Sequence, residues 1–253
     1  MTAPYFVIAG ESKCGTTSLY EDLIKHPDIL PSNGYGDHIP YGGTLSLSQK
    51  EPRFFDRQWH RGIDWYFSLF PDVSGKISGD GSAMYLFRTL AMERMKQTIP
   101  DTKIIIMLRD PIDRLYSHFH HVAELAQKWE TRYPTFERFL DCAHENDYYI
   151  IARSIYVDSV KNCYRLFGED QVIVIKSETY FNYPNEYDRI ISFLGLNEYH
   201  LDASHFRSGN YKTKMLKETR NKLSDFFEPY NKQLYELIGR DMGWGSVRDQ
   251  IRE

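Results

Sequence analysis

Cysteine is scarce in this chain, and its three cysteines lie far apart. Cys14, Cys142 and Cys163 are too few and too scattered for the disulfide framework of a small secreted domain. No spacing of cysteines and histidines suggests a zinc site, so we predict no bound metal. The chain must therefore be stabilised by an ordinary hydrophobic core, for which its 253 residues are sufficient.

Long apolar runs and an excess of positive charge are also missing. No stretch reaches the roughly 18 apolar residues of a membrane span. The first strand-like run, YFVIAG, begins too early to leave room for a signal peptide. The net charge is −4 and the pI about 6.1, which argues against duplex nucleic acid as a partner. These absences predict a cytoplasmic protein with neither a membrane nor a nucleic-acid partner.

What the chain does contain is an alternation of strand-like and helical segments. Continuous apolar runs at 5–9, 103–108 and 171–176 predict buried parallel strands, and 76–86 contains a weaker one. Helical patterns cover 16–26, 88–98, the stretch from Pro111, 134–146, 153–167, 185–194 and 217–239. This alternation predicts an α/β fold: a single domain over residues 1–253, with a mostly parallel central sheet flanked by helices.

The segment AGESKCGTTSLY, at residues 9–20, joins the first strand to the first helix. A strand, a Gly-containing turn and a helix N-terminus make an anion site, because the free N–H groups of the first helical turn point at the ligand. Gly10 and Gly15 keep the glycine spacing of a nucleotide-binding P-loop. Thr16, however, stands where the P-loop lysine would be, and Lys13 lies inside the loop. A P-loop kinase or another nucleotide-binding protein stays open as an alternative.

Further motifs accompany this loop along the chain. KEPRFFD contains Glu51, and KIIIMLRDPIDRLYSHF is a strand that ends before Arg109, with Ser117 in the next helix. SIYVDSVKNCYRLFGEDQVIVIKSETYFNYP, SGNYKTKM and FFEPYNKQLYELIGRDMGW follow. Together with K-x-G-T-T, this set resembles the sulfotransferases that use 3′-phosphoadenosine 5′-phosphosulfate (PAPS), in particular their heparan-sulfate-type and bacterial branch. The resemblance runs from about residue 5 to residue 244.

The resemblance implies a P-loop-like sulfotransferase fold, PAPS as the cofactor and adenosine 3′,5′-bisphosphate as its product. The catalytic residues that it implies are Lys13, on the leaving-group side, and Glu51, which takes the acceptor's proton. The cofactor-binding residues that it implies are Lys13, Cys14, Gly15, Thr16, Thr17, Ser18, Arg109, Ser117, Tyr156, Lys212 and Lys214. A guanidinium and a hydroxyl suit a phosphate, which agrees with Arg109 and Ser117 at the 3′-phosphate.

Two positions depart from the family pattern. Gly81, in GDGSAMYL, stands where the family often has a lysine, so one expected sulfate contact is missing. The family's Lys-Gly-Arg is absent from the C-terminal loop, where GNYKTK offers two lysines instead. For Arg109, an ordinary ion pair with Asp110 or Asp113 remains the alternative to phosphate binding.

The acceptor is predicted from charge. The segments expected to meet it are acidic, and charge complementarity favours a small neutral or cationic metabolite that offers a hydroxyl, an amine or a guanidine. A heparan-type glycan is the alternative. The predicted acceptor-binding residues are Glu11, Tyr35, Asp37, Tyr41, Asp80, Tyr85, His118 and His121. Residues 31–48 form a long loop rich in Gly, Pro and Ser, which we expect to cover the acceptor site as a lid, with a disordered insertion as the alternative.

Overall fold

The computed structural model of the chain describes residues 2–33, 50–125, 135–146, 149–182, 185–201 and 215–245. Most of the predicted lid over 31–48 lies outside these residues. The chain forms two compact units. One combines Met1–Leu108 with Ser159–Phe206, and the other combines Arg109–Asp158 with Arg207–Glu253. One domain over the whole chain stays a prediction.

The first unit is built on a five-stranded sheet. Its strands are β1 (Phe6–Gly10), β2 (Ile29–Leu30), β3 (Ile77–Asp80), β4 (Lys103–Leu108) and β5 (Val172–Lys176). They lie in the order β2-β3-β1-β4-β5, and every neighbouring pair is parallel. β1 is central, with Val7 opposite Asp80 in β3 and Ile104 in β4. The α/β class and the parallel sheet are therefore confirmed.

Helices alternate with these strands along the chain. They are α1 (Thr16–Leu23), α2 (Ile63–Ser68), α3 (Thr89–Thr98), α4 (Pro111–Leu125), α5 (Phe136–Asn146), α6 (Tyr149–Ala152), α7 (Val157–Phe167), α8 (Ser177–Asn182), α9 (Asn185–Leu194) and α10 (Lys217–Ile238). A π-helical turn covers Phe54–Gln58, and 3₁₀ turns cover Trp59–Arg61 and Glu169–Gln171. Within the described ranges, no helix combines the length and the apolar character needed to cross a membrane.

Helices α1 and α9 bury their apolar faces in the core of the first unit. Leu19 and Leu23 of α1 and Ile190 of α9 share one cluster with Ile8 of β1 and Ile105 of β4. All five side chains have no exposed surface. Burying one such side chain contributes about 1.5–3 kcal/mol relative to leaving it exposed. This cluster stabilises the sheet from which the β1–α1 loop emerges.

Helices α4, α5 and α10 build the core of the second unit. Leu115 of α4, Phe139 of α5 and Phe227 of α10 are buried in one cluster. An ion pair joins two of these helices, because Arg220 of α10 donates from Nη1 to Asp113 of α4 at 2.8 Å. Apolar packing and this pair together fix α10 against α4.

The helix predicted over 153–167 is wrong at its start. Helix α6 ends at Ala152, and α7 begins only at Val157. Between them, Ser154 accepts a hydrogen bond at 2.6 Å from Nε of Arg114, a side chain with no exposed surface. A buried guanidinium must be hydrogen-bonded, so this bond from α4 outweighs the local helical pattern.

Candidate active site

The segment between β1 and α1 is a short loop held by backbone hydrogen bonds. The N–H of Glu11 donates to the carbonyl of Met107 in β4 at 2.7 Å, and the N–H of Cys14 donates to the carbonyl of Glu11 at 3.1 Å. Lys13 and Gly15 have φ angles of 73° and 92°, in the left-handed region. A lysine is uncommon in that conformation, and the tight turn that it makes leads the chain directly into α1.

Gly15 is the N-cap residue of α1, and its position tolerates no side chain without strain. A Cβ atom there would lie 2.5 Å from Cζ of Phe181, and the φ angle of 92° favours glycine. No side chain caps the helix, and its first turn contains no acidic residue. The N–H groups of Thr16 and Thr17 therefore begin a helix whose positive end suits a phosphate.

The residues at this loop differ in exposure. Three of them are partly or fully exposed, namely Lys13, Thr17 and Ser18, whereas Glu11, Cys14 and Thr16 are buried. The carbonyl of Cys14 accepts a hydrogen bond from Oγ of Ser177 at 2.8 Å, and Oε1 of Glu11 accepts one from the N–H of Ser12 at 2.6 Å. Glu11 thus bonds its own loop, and its predicted contact with an acceptor stays a prediction.

The predicted base lies in a second segment of the first unit. The side chain of Glu51 is 20% exposed, and its Oε1 lies 2.7 Å from Nζ of Lys50, whose side chain is 4% exposed. Nζ of Lys50 also donates to the carbonyl of Gly81 at 3.2 Å. The N–H of Gly81 in turn donates to the carbonyl of Lys50 at 2.8 Å. Glu51 is therefore paired with a residue that makes two hydrogen bonds to the turn after β3.

Asp80 organises that turn from inside the protein. Its Oδ1 accepts the N–H of Ser82 at 2.8 Å, and its Oδ2 accepts the hydroxyls of Tyr66 and Tyr85 at 2.9 and 3.1 Å. Burial raises the pKa of Asp80 to about 6, although these hydrogen bonds act in the opposite direction. Burial and the nearby charge of Asp80 also raise the pKa of both tyrosines well above its ordinary value.

The same turn fixes the residues after Glu51. Oγ of Ser82 accepts the N–H of Arg53 at 3.0 Å, and Arg53 has a left-handed φ of 53°. Nε of Arg53 donates to Asp56 at 2.9 Å, and Arg88 lies 3.3 Å from the same carboxylate. The ring of Phe54 stacks on that of Tyr66, with centroids 4.5 Å apart.

Two predicted acceptor-binding residues, Asp80 and Tyr85, lie in this network with no exposed surface. Their hydrogen bonds support the turn that carries Gly81 and Ser82, which in turn holds the segment around Glu51. The structure therefore gives them a supporting position, and a direct contact with an acceptor stays a prediction.

In the second unit, Arg109 is the first residue after β4 along the chain. It is partly exposed, and its carbonyl accepts the hydroxyl of Tyr156 at 3.0 Å. Asp110 caps α4 by accepting the N–H of Ile112 at 2.8 Å. Asp113 accepts Nη1 of Arg220 at 2.8 Å. Both carboxylates considered as partners of Arg109 are thus engaged elsewhere.

Ser117 and the histidines lie further along α4. Ser117 is 6% exposed, and His118 and His121 are partly buried. Across the described part of the chain, no three His, Cys, Asp or Glu side chains are grouped as a metal site would require. The absence of a metal stays a prediction, as do the roles of these residues.

Five predicted site residues lie outside the described residues: Tyr35, Asp37, Tyr41, Lys212 and Lys214. A cleft of about 790 Å³ runs beside α9, where Asp188, Arg189 and Glu198 line it. It contains none of the predicted site residues. The geometry around Glu51, rather than this cleft, therefore defines the candidate site in the first unit.

The sequence motifs did not reveal the supports of Glu51. Lys50, Tyr66 and Ser82 have no predicted role, and their partners are distant in the sequence. The bonds from Lys50 and Arg53 cross 31 and 29 residues. No local pattern indicates them. A lysine directly before the predicted base was the one available signal.

The chain matches the family model described as "Sulfotransferase domain" over residues 3–234. It is 26% identical to mouse heparan sulfate glucosamine 3-O-sulfotransferase 3B1 over 95% of this chain, and the match spans 65% of the mouse protein. It is 38% identical to human bifunctional heparan sulfate N-deacetylase/N-sulfotransferase 3 over 122 residues, which are 47% of this chain and 13% of that protein.

Solved structures agree with this match. A sulfotransferase from Alicyclobacillus acidocaldarius superposes with a TM-score of 0.76 at 29% identity, covering 96% of this chain and 98% of that one. The sulfotransferase domain from the curacin biosynthetic pathway gives a TM-score of 0.51 at 14% identity, covering 79% and 76%, and supports the fold alone. With a family model matched over most of its length, the chain belongs to the sulfotransferase family of transferase enzymes.

Proposed function

We propose that the protein is a PAPS-dependent sulfotransferase that acts on a hydroxyl, amine or guanidine of a small metabolite. The observation that carries this proposal is the β1–α1 loop. There, Lys13 in a left-handed conformation precedes a helix with no side-chain cap and no acid in its first turn. In a chain of the sulfotransferase family, this geometry favours sulfuryl transfer over the phosphoryl transfer of a P-loop kinase.

On this proposal, the loop binds the 5′-phosphosulfate end of the donor. The N–H groups of Gly15, Thr16 and Thr17, with the exposed hydroxyl of Thr17, hold the 5′-phosphate. Lys13 is partly exposed, and its ammonium stabilises the negative charge that grows on the bridging oxygen. PAPS supplies the sulfuryl group itself.

Arg109 and Ser117 are proposed to hold the 3′-phosphate, together with Tyr156 and the two lysines at 212 and 214. The support for Arg109 is that its neighbouring carboxylates are engaged elsewhere, in the cap of α4 and with Arg220. A guanidinium donates a forked pair of hydrogen bonds that matches a phosphate. Tyr156 supports Arg109 through the bond to its carbonyl.

Glu51 is proposed as the base that removes the acceptor's proton during an in-line transfer. Its carboxylate is partly exposed, so it can reach an acceptor, and its pairing with Lys50 holds it in place. Most of the catalytic effect then comes from positioning and from charge stabilisation by Lys13.

A small acceptor agrees with the charges around Glu51. Lys50 pairs with Glu51 itself, and both Arg53 and Arg88 bind Asp56. These three cations share two carboxylates, so most of their charge is compensated and they add little attraction for a polyanion. The second candidate acceptor is a heparan-type glycan, which the names of the matched mammalian relatives favour.

Incubation with ³⁵S-labelled PAPS tests the activity and separates the two acceptors. The panel contains tyramine for hydroxyl and amine groups, agmatine for guanidine, and heparan sulfate for the glycan. We expect label on a small molecule, with a weak salt dependence. Label on heparan sulfate alone would contradict the small acceptor but support the sulfotransferase. Absence of label on every acceptor, with no binding of adenosine 3′,5′-bisphosphate, would contradict the activity itself.

Calorimetry tests the donor site without any acceptor. Adenosine 3′,5′-bisphosphate should bind at least about tenfold more tightly than AMP, because a charge-assisted hydrogen bond contributes about 1.5–3 kcal/mol. Arg109→Ala should remove most of this difference, whereas Arg165→Ala, on the exposed face of α7, should keep it. Equal affinities of the wild-type protein for the two nucleotides would refute the 3′-phosphate assignment.

A further inference from the structure

Lys50 is a buried cation with an unusual set of bonds. Its side chain is 4% exposed, and its ammonium contacts the carboxylate of Glu51 at 2.7 Å and the carbonyl of Gly81 at 3.2 Å. A buried charge that loses its counter-charge is strongly destabilising, so the ammonium requires a carboxylate within reach. Because Lys50 itself cannot move to water, Glu51 is the group whose position this requirement sets.

Gly81 provides the space in which Lys50 lies. A Cβ atom at position 81 would be 3.0 Å from Cδ2 of Tyr20, 3.1 Å from the carbonyl oxygen of Lys50 and 3.3 Å from its Cβ. Any side chain here would therefore push against Lys50. Without one, the peptide of Gly81 can bond Lys50 from both ends, through its N–H at 2.8 Å and through its carbonyl.

We propose that Lys50 is a positioning residue that fixes the carboxylate of Glu51 for proton removal, and that Gly81 is the residue that admits it. This inference rests on the proposed function, in which Glu51 is the base. Lys50 acts through Glu51 and touches neither donor nor acceptor. The turn after β3 is then part of the catalytic apparatus, although it supplies no reacting group.

A double-mutant cycle tests this proposal with labelled PAPS and the panel acceptor of highest turnover. Lys50→Met should lower kcat about 10- to 100-fold, since a displacement of about 1 Å can cost 10²-fold. The affinity for adenosine 3′,5′-bisphosphate should stay unchanged. In a Glu51→Gln background, Lys50→Met should have no further effect, because both changes act on one group. Lys50→Arg, which keeps the charge, should recover part of the loss.

The matched control breaks another lysine–carboxylate pair with the same distance between the charged atoms. Lys76 lies 2.7 Å from Asp28 on the surface of the first unit, and Lys76→Met should leave kcat unchanged. Gly81→Ala gives a second variant if Lys50→Met does not fold, because it displaces Lys50 without removing a charge. It should lower kcat in the same direction, and again only when Glu51 is present.

Two outcomes overturn the proposal in distinguishable ways. If Lys50→Met lowers kcat equally with Glu51 and with Gln at position 51, Lys50 acts on donor or acceptor directly, and the base assignment survives. If Glu51→Gln alone keeps a normal kcat, the base lies elsewhere, and both the proposed role of Glu51 and that of Lys50 are lost.

Discussion

The β1–α1 loop and the segment from Lys50 to Asp56 belong to the same unit but are held in opposite ways. The loop is shaped by backbone hydrogen bonds and by left-handed conformations at Lys13 and Gly15. The second segment is joined to the turn after β3 by two buried side chains, since Lys50 donates to the carbonyl of Gly81 and Ser82 accepts the N–H of Arg53. Both depend on residues distant in the sequence, but the loop is held through its backbone, by Met107 and Ser177, and the second segment through buried side chains.

This difference indicates how each region should respond to change. A loop held through its backbone tolerates most changes of side chain, but not at the few positions that set its backbone conformation. A segment held by side chains depends on several buried polar groups. The folded protein is destabilised whenever one of these groups loses its hydrogen-bond partner. Except at Gly15, which sets the backbone, mutations in the loop should therefore act on the chemistry and the nucleotide, whereas those that remove a buried hydrogen bond of the network should lower stability.

The largest expected effect comes from the loop's lysine. Lys13→Ala should lower kcat about 10²- to 10³-fold, the usual cost of removing one group that stabilises developing charge. Binding of adenosine 3′,5′-bisphosphate should weaken much less, because that charge develops only as the bond breaks. Rapid-quench turnover and calorimetry measure the two. Lys25→Ala, beyond the last residue of α1, is the control, and equal losses in kcat and affinity would contradict the proposed role.

The second effect is a pH dependence that belongs to the network. The folded-state pKa of Asp80 is raised to about 6 from 3.8, so its protonated form stabilises the folded protein. This stability is fully present below pH 3.8 and is lost as the pH rises through about 6, by about 3 kcal/mol in total. Urea unfolding of the wild type and of Asp80→Asn at pH 4, 5 and 7 measures this loss, because the variant cannot ionise at position 80. If the difference in unfolding free energy between the two proteins is the same at all three pH values, the prediction is refuted.

Gly15→Ala should cost about 2 kcal/mol of folding free energy, because alanine is strained at φ 92° and its Cβ would meet the ring of Phe181. Gly168→Ala is the matched control, since φ there is 81° but nothing lies within 4 Å of its Cβ. Thermal unfolding compares them. We expect the larger loss at Gly15, together with weaker nucleotide binding there alone. Equal losses of folding free energy in the two variants would show that the ring of Phe181 does not add to the strain at position 15.

The smallest effect is expected from the hydroxyl of Ser82, which joins the turn after β3 to the segment around Glu51. Ser82→Ala leaves the buried N–H of Arg53 without its acceptor, which should destabilise the fold by about 1 kcal/mol. Ser68→Ala is the control, because its hydroxyl donates to a carbonyl at the surface. Chemical denaturation measures both, and a loss at Ser68 as large as at Ser82 would contradict a network role.

Local pattern predicted the parts of the fold that depend on local sequence. The apolar run 103–108 is β4, residue for residue, and the helix predicted over 185–194 is α9. The glycine-containing loop after β1 and the helix behind it were likewise visible in the sequence. The helix start at 153 was not, because a bond from Arg114 overrides the pattern there.

The hydrogen bonds that support the candidate site could not be predicted either, because they too join residues that are distant in the sequence. The sequence predicts that Asp80 contacts the acceptor, but it does not show that the hydroxyls of Tyr66 and Tyr85 bond this carboxylate in a buried site. No feature of GDGSAMYL indicates these bonds, since they depend on which helix packs over the turn. Gly81 was seen only as the place of a missing lysine, whereas its bare Cα makes room for Lys50.

The central place of β1 also bears on how the chain acquires this site. Phe6 pairs with Gly79 of β3 and with Lys103 of β4, both far downstream. Closing such long stretches of chain costs entropy before any contact repays it, which makes this type of sheet slow to form. During synthesis from the N-terminus, the loop that carries Lys13 must wait until residue 107 has emerged to offer its carbonyl to Glu11. The loop that is made first therefore reaches its working shape only after residues much later in the chain have been made.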